Sequence, residues 1–203
     1  MTTDTAPFWD RIADTYAARA VDNPAAWETT LERCRHWLRP EATALELGCG
    51  TGSTALKLAD AVADYTGTDV SGAMIRIAQG KDAPGHLRFV RAEAEAALAP
   101  GVDVVLAFNL LHLIADLPPL LGQVYDALPS GGLFLSKTPC LGHKPWLRPV
   151  IWAMRCFGKA PPGVRYVTVG QLEAMIRAAG FEVLETGGYP ASLPNQFIVA
   201  RKP

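Results

Sequence analysis

The stretch Ala44-Leu45-Glu46-Leu47-Gly48-Cys49-Gly50-Thr51-Gly52-Ser53 decides the fold, together with Thr68-Asp69-Val70-Ser71 one strand-helix-strand unit later. A short apolar run carries an acid near its end, three glycines follow at alternate positions, and Ser53 opens a helix-forming segment. Glycine lets the chain turn sharply and approach a ligand with no Cβ in the way. In open α/β sheets ligands sit outside the carboxyl ends of the strands, where both the glycines and Asp69 fall. A carboxylate at Asp69 can accept from both hydroxyls of a ribose.

The glycine spacing separates two kinds of ligand. A dinucleotide fingerprint is G-x-G-x-x-G, with a pyrophosphate on the helix N-terminus. Here the third glycine comes early, at Gly52, and Ser53 stands where the fingerprint has glycine. Glu46 would also repel a pyrophosphate, whereas a ligand carrying an ammonium and a sulfonium gains from a nearby carboxylate. The pattern Glu46-x-Gly48-x-Gly50-x-Gly52 followed by Asp69 resembles motif I and its partner acid in the class I S-adenosylmethionine-dependent methyltransferases of the small-molecule type. The alternative is a glycine turn that only packs a strand against a helix.

Working outward, strand and helix alternate. Strands are expected at 44–47, 65–68, 87–90, 102–108 and 133–136, with helices at 53–62, from Ser71 through Met74, Ile75 and Ala78, and at 120–128. Ser71 is a natural N-cap. The run 104–108 is continuously apolar, as in a strand covered on both faces. This alternation predicts a doubly wound, mainly parallel α/β sheet. A helix at 169–179 and strands at 181–185 and 197–201 complete the chain. The resemblance implies a seven-stranded Rossmann-like sheet, with the final strand inserted antiparallel beside the fifth.

Two segments extend this core. Before it, Phe8, Ile12 and Tyr16 recur at helical spacing, Asn23-Pro24 breaks the run, and a second helix carries Trp27, Leu31, Cys34 and Leu38. After it, 140–163 mixes Pro145, Pro149, Pro161 and Pro162 with Trp146, Ile151, Trp152, Met154 and Phe157, and with Lys144, Arg148, Arg155 and Lys159. Three readings of that segment stay open: a substrate lid, a membrane-surface patch at 146–157, or a helix packed on the core. The expected organisation is one domain over 1–203, with an N-terminal helical cap at 1–40, a cofactor-binding core at 41–139, a lid or insert at 140–168, and a helix and hairpin at 169–203.

The resemblance places Glu46, Gly48, Cys49, Gly50 and Gly52 along the cofactor and Tyr16 near its methionine end. It puts Asp69 on the ribose, Val70 and Met74 beside the adenine, Glu93 at the adenine amino group with the Ala94 amide completing recognition, and Asn109 beside the methionine moiety. Glu93 stands where aspartate is commoner in the family, and a solvated charge at a helix start is its alternative reading. Met74 is equally a core residue. His112, just beyond the fourth strand, is the general-base candidate, because imidazole accepts a proton near neutral pH. Its apolar neighbours also allow a structural histidine.

Composition narrows the function further. A 203-residue chain of 49% hydrophobic content suits one well-filled core. The net charge of −1 provides no global attraction to nucleic acid. The stretch Phe108-Asn109-Leu110-Leu111-His112 also lacks the [Asp/Asn/Ser]-Pro-Pro-aromatic sequence of nucleic-acid amino-methyltransferases. Cys34, Cys49, Cys140 and Cys156 show no metal-ligand spacing and read as reduced thiols. The polar start Met1-Thr2-Thr3-Asp4 predicts no signal peptide and a cytoplasmic protein. The reading is methyl transfer from S-adenosylmethionine to a small, hydrophobic or aromatic acceptor. An NAD-type oxidoreductase and a non-catalytic S-adenosylmethionine-binding regulatory domain are the alternatives. Neither the acceptor atom nor the oligomeric state is written in the sequence.

Overall fold

The computed structural model describes residues 5–190 and 195–203, so the polar start read for a signal peptide lies outside the described residues. Two helices lead the chain, α1 (Ala6–Ala18) and α2 (Pro24–Trp37). The side chain of Asn23 accepts from the Ala26 N–H, so the break seen in the sequence is the N-cap of α2. The alternating part follows as β1 (Thr43–Leu47), α3 (Ser53–Leu58), β2 (Asp64–Asp69), α4 (Gly72–Gln79), β3 (Leu87–Arg91), α5 (Ala94–Ala97), β4 (Val104–Phe108), α6 (Leu117–Ala127) and β5 (Leu133–Pro139). The chain closes with α7 (Leu147–Cys156), α8 (Val169–Ala178), β6 (Glu182–Gly188) and β7 (Asn195–Arg201).

The sheet has seven strands in the order β3-β2-β1-β4-β5-β7-β6. The first five pair in parallel, and β7 enters antiparallel between β5 and β6. The order reverses at β1, so a crevice opens between the carboxyl ends of β1 and β4, where such sheets bind ligands. Alternate residues of each strand serve opposite layers. Ala44, Leu106, Leu135 and Phe197 join Leu31 and Cys34 of α2, Leu58 of α3 and Ile75 of α4. On the other face, Leu45, Val105, Phe134 and Ile198 meet Leu121 and Val124 of α6 and Leu172 and Ile176 of α8. Each fully buried leucine among these contributes roughly 1.5–3 kcal/mol.

Several boundaries shift for physical reasons. Helix α6 starts at Leu117 rather than 120, because prolines are tolerated in a first turn whose N–H groups lack helical partners. Strand β4 starts at Val104, since Asp103 uses its carboxylate to accept from the Thr43 N–H at 2.8 Å. The helix expected over 53–62 ends at Leu58 and tightens into a 3₁₀ turn, Ala59–Ala61. Ser71 caps α4 as expected, accepting from the Met74 N–H at 3.1 Å. A reciprocal Thr168–Gln171 capping box starts α8.

The leading helices are fixed over the carboxyl edge of the sheet. Asp10 of α1 accepts from Ser71 Oγ at 2.6 Å and from the Ala73 N–H at 2.9 Å, which joins α1 to the start of α4. These two bonds hold its carboxyl below the usual range. Arg33 and Trp37 of α2 both donate to Glu185 of β6, the indole at 2.7 Å. The arrangement leaves a space between α1, α2 and the strand ends.

Candidate active site

The first wall of that space is made by the glycine turn. Gly48, Gly50 and Gly52 all have positive φ, at 67°, 55° and 76°, where L side chains are strained. They are not equivalent. A Cβ on Gly50 would meet nothing within 4 Å, so this position faces open space. A Cβ on Gly52 would fall 2.6 Å from Phe89 Cζ. Gly52 lies outside the cavity lining, and packing between α3 and β3 by itself requires glycine there. A Cβ on Gly48 would meet the Leu110 side chain at 2.9 Å. That contact links the turn after β1 to the turn after β4.

The acids come next. Asp69 ends β2 and accepts from the Gly50 N–H and the Ser71 N–H, one on each oxygen, both at 2.9 Å. Burial raises its pKa, and those two bonds oppose the shift. A carboxylate has about four lone-pair sites, so both oxygens keep capacity for a ligand's hydroxyls. Glu46 is 2% exposed and accepts from the Tyr65 hydroxyl at 2.9 Å. Burial pushes its carboxyl up to about 7, against the lowering effect of that hydrogen bond. A cation brought beside it would favour its ionised form.

Around this cradle the structure gathers Tyr16, Cys49, Val70, Met74, Glu93, Ala94, Asn109 and His112, with Glu46, Gly48, Gly50 and Asp69, along one cavity of about 970 Å³. The volume lies at the upper end of small-molecule sites, roughly 300–1,000 Å³. Tyr16 is half exposed, and its phenol is raised first by surrounding protein and then by the Asp69 carboxylate. Met74 is 2% exposed and lies in the buried core, while Val70 is half-buried. Glu93 is exposed at the N-cap of α5 and makes no side-chain cap bond. Burial drives the Cys49 thiol above its usual range.

The far wall comes from elements remote in sequence. Asn109 has a φ of 54°, and its N–H donates to the Lys137 carbonyl at 2.7 Å. Asparagine is among the side chains that best tolerate this conformation, and such outliers cluster at functional sites. His112 lies in a 3₁₀ turn, Leu111–Leu113. Burial lowers its pKa to about 4, and its Nδ1 is buried without a hydrogen-bond partner among the described residues. Ile151 and Met154, from the segment read as a lid among its alternatives, also line the cavity, as do Trp27 and Thr30 of α2, Phe108, Lys137 and Leu141, which carry no site signal in the sequence.

The apolar-basic segment therefore reaches the cavity through Ile151, Met154, Ala160, Pro161 and Val164. No residue of α7 is fully buried, and Leu147, Ile151 and Ala153 are its half-buried side. Arg11 of α1 donates to the Gly158 carbonyl at 2.9 Å. The Arg165 N–H donates to the His112 carbonyl at 2.7 Å, and the Arg165 guanidinium donates to Ala115 O at 2.6 Å. Trp146, Trp152 and Phe157 face outward, at 63%, 67% and 79% exposed. Among the described residues no helix is long and apolar enough to cross a membrane, and no cluster of three His, Cys, Asp or Glu side chains is placed to hold a metal ion.

A doubly wound sheet whose switch point carries a glycine turn, an acid after β2 and a broad covered cavity defines a nucleoside-binding α/β protein. The comparisons with known proteins make the class specific. Residues 19–186 match the methyltransferase domain family, and the chain belongs to it. It is 30% identical over 171 residues to a ubiquinone biosynthesis O-methyltransferase of Methylobacterium nodulans, across 76% of this chain and 69% of that protein. A second relative, the trans-aconitate 2-methyltransferase of Deinococcus radiodurans, is 32% identical over 103 residues, half of this chain and 39% of its own length. In fold, the chain matches Haemonchus contortus phosphoethanolamine N-methyltransferase 2 in complex with S-adenosylhomocysteine, with a TM-score of 0.75 at 19% identity over 99% of this chain and 61% of that one. S-adenosylmethionine is the methyl donor of this family, and the cradle fits it. The open face at Gly50, the spare acceptor capacity of Asp69 and the buried acid Glu46 match, in turn, a close-lying chain, a ribose and a cationic centre.

Proposed function

We propose that the protein transfers the methyl group of S-adenosylmethionine to a small, hydrophobic or aromatic acceptor. One observation carries this reading. A single cavity has a glycine and carboxylate cradle at one end and an apolar cover of Trp27, Phe108, Leu141, Ile151 and Met154 at the other. The name of the Methylobacterium relative, a ubiquinone biosynthesis O-methyltransferase, supports oxygen as the acceptor atom. The cofactor supplies an electrophilic methyl carbon attached to a sulfonium, which leaves alignment as the main task of the protein.

The chain's residues divide that task. Asp69 would bind the ribose, Glu46 and Tyr16 would line the charged end, and Val70, Met74, Glu93 and Ala94 would flank the base. The segment 140–168 would act as a lid that excludes water, held by Arg11 on one side and Arg165 on the other. His112 would orient the acceptor rather than deprotonate it. A base works best with a pKa near the working pH, and burial takes this imidazole to about 4. Its orphaned Nδ1 points the same way, because burying a bare acceptor is more readily tolerated than burying an unpaired N–H. The tautomer that follows carries its proton on the other nitrogen, which then donates.

The test is transfer of labelled methyl from S-adenosylmethionine across hydroxylated aromatics, unsaturated acids, amines and lipid-like quinols. Labelled product from a hydroxyl-bearing or carboxyl-bearing aromatic or unsaturated compound is expected. Cofactor binding with no transfer to any class would favour the non-catalytic reading.

A further inference from the structure

Lys137 sits on β5, and its register partner is Phe108, the last residue of β4. Leu133 and Leu135 of the same strand belong to the core beneath α2. Strand alternation therefore turns Lys137 to that same side, where its Nζ donates to Thr30 Oγ1 at 2.8 Å. The Thr30 hydroxyl proton goes to the Ala26 carbonyl at 2.8 Å. An ammonium has three donors, and Thr30 accounts for one.

The surrounding charges make this lysine unusual. Acids line the cavity at Glu46, Asp69, Glu93 and Glu95. Arg19, the other cation in the lining, is paired with Asp22 at 2.8 Å. No ion pair among the described residues involves Lys137. Burial lowers its pKa, as expected of an ammonium that has lost hydration and gained no counter-charge. Between β2 and β5 lie β1 and β4, so Lys137 stands about 14 Å from the Asp69 end of the cavity at ordinary strand spacing.

We propose that Lys137 is a specificity-determining residue and that the methyl acceptor carries a carboxylate that pairs with its ammonium. The inference rests on the methyltransferase reading of the cavity and adds the charge class of the acceptor. A carboxylate fits better than a phenolate, because it is ionised at neutral pH without help, with a pKa of about 4 against about 10. A monoanion fits better than a phosphate dianion, because one ammonium and one hydroxyl leave a second negative charge uncompensated in a partly buried wall.

The test is calorimetric binding of salicylate, cinnamate, caffeate and octanoate, each against its primary amide, to the protein loaded with S-adenosylhomocysteine. At least one acid is expected to bind about tenfold or more tightly than its amide, as for a close charge pair. Lys137→Met should reduce that ratio to below about threefold, and Lys137→Arg should keep most of it. A purely structural lysine would lower the melting temperature in Lys137→Met and leave the ratio intact. Lys137→Gln serves as the neutral variant should the methionine variant not fold. The proposal is overturned by wild-type protein that binds no acid in preference to its amide, or by a preference that survives in a folded neutral variant. Failure of S-adenosylhomocysteine to bind, measured first, would strike the methyltransferase reading, and the acid-amide comparison is then made on cofactor-free protein. Preference confined to octanoate would leave the Lys137 pairing standing and remove the aromatic acceptor.

Discussion

The two ends of the cavity are built in different ways. At the β1–β2 end, backbone geometry does most of the work. Three positive-φ glycines and an acid that binds the Gly50 and Ser71 N–H groups fall within a span of 24 residues, 48–71. At the β4–β5 end, side chains from α2, β5 and α7 meet across the fold, as in the Lys137–Thr30 bond between residues 107 positions apart. The first construction fixes one ligand shape, and the second can be rebuilt residue by residue around different acceptors. This is how a fold shared at 19% identity with an N-methyltransferase can serve other acceptors, since function resides in the site and not in the fold.

The sharpest way to break the contrast is Gly50→Val. With φ at 55° and open space in front, the new side chain would project into the cradle. We expect S-adenosylmethionine affinity to fall by more than about 100-fold, on the order of 3 kcal/mol, with the melting temperature lowered only modestly by backbone strain. Gly52→Val is the matched control. Its Cβ meets Phe89 Cζ at 2.6 Å, so stability should collapse first. The same loss from both variants, with folding equally affected, would dissolve the distinction between ligand-facing and packing glycines.

Glu46 gives a pH signature to the backbone-built end. Its folded value of about 7 lies above that of an unfolded glutamate, so the folded state holds the extra proton between the two. The contribution is complete below about pH 4.5 and is lost as pH rises through about 7, a fall on the order of 3 kcal/mol. Denaturant unfolding of cofactor-free wild type from pH 4.5 to 8 should show this fall, and Glu46→Gln should remove it. An unchanged slope in the variant would assign the dependence elsewhere.

Asp69→Ala should weaken S-adenosylmethionine by about 1.5–3 kcal/mol through the lost charge-assisted ribose bonds. The fold should survive, since the freed Gly50 N–H lines the cavity and can take water, while the buried Ser71 N–H loses its partner at a cost of about 1–3 kcal/mol in stability. Affinity equal to wild type in calorimetry would remove Asp69 from the site. The smallest effect is expected at His112. An orienting, neutral imidazole predicts a turnover loss of about tenfold or less in His112→Ala, whereas a general base would give about 10²–10⁴-fold. Turnover across pH, normalised to folded enzyme, separates the two.

The same contrast explains what was legible in the sequence. Gly48, Gly50 and Asp69 are legible because their position depends on local spacing after apolar strands; alternation implies the doubly wound sheet, and the family pattern implies the last strand antiparallel beside the fifth. The packing role of Gly52 is not legible, because spacing cannot tell a glycine with open space before it from one that abuts Phe89. The start of α6 lies three residues before the expected 120 because a first helical turn accepts Pro118 and Pro119. His112 could be located but not given a protonation state, which depends on burial. Lys137 and Thr30 carried no local signal, since their meeting exists only after α2 folds across the sheet. Exposed aromatics at Trp146, Trp152 and Phe157 could likewise have been core residues until the fold placed them outside.

Calorimetric titration of the wild-type chain with S-adenosylmethionine, S-adenosylhomocysteine and NAD bears most directly on the cradle. One-to-one binding of both adenosyl compounds is expected, lost in Gly50→Val and weakened in Asp69→Ala, with NAD binding at least about 100-fold more weakly because Glu46 and the glycine spacing oppose a pyrophosphate. NAD binding more tightly than S-adenosylmethionine, or adenosyl binding that is untouched in a folded Gly50→Val protein, would contradict it.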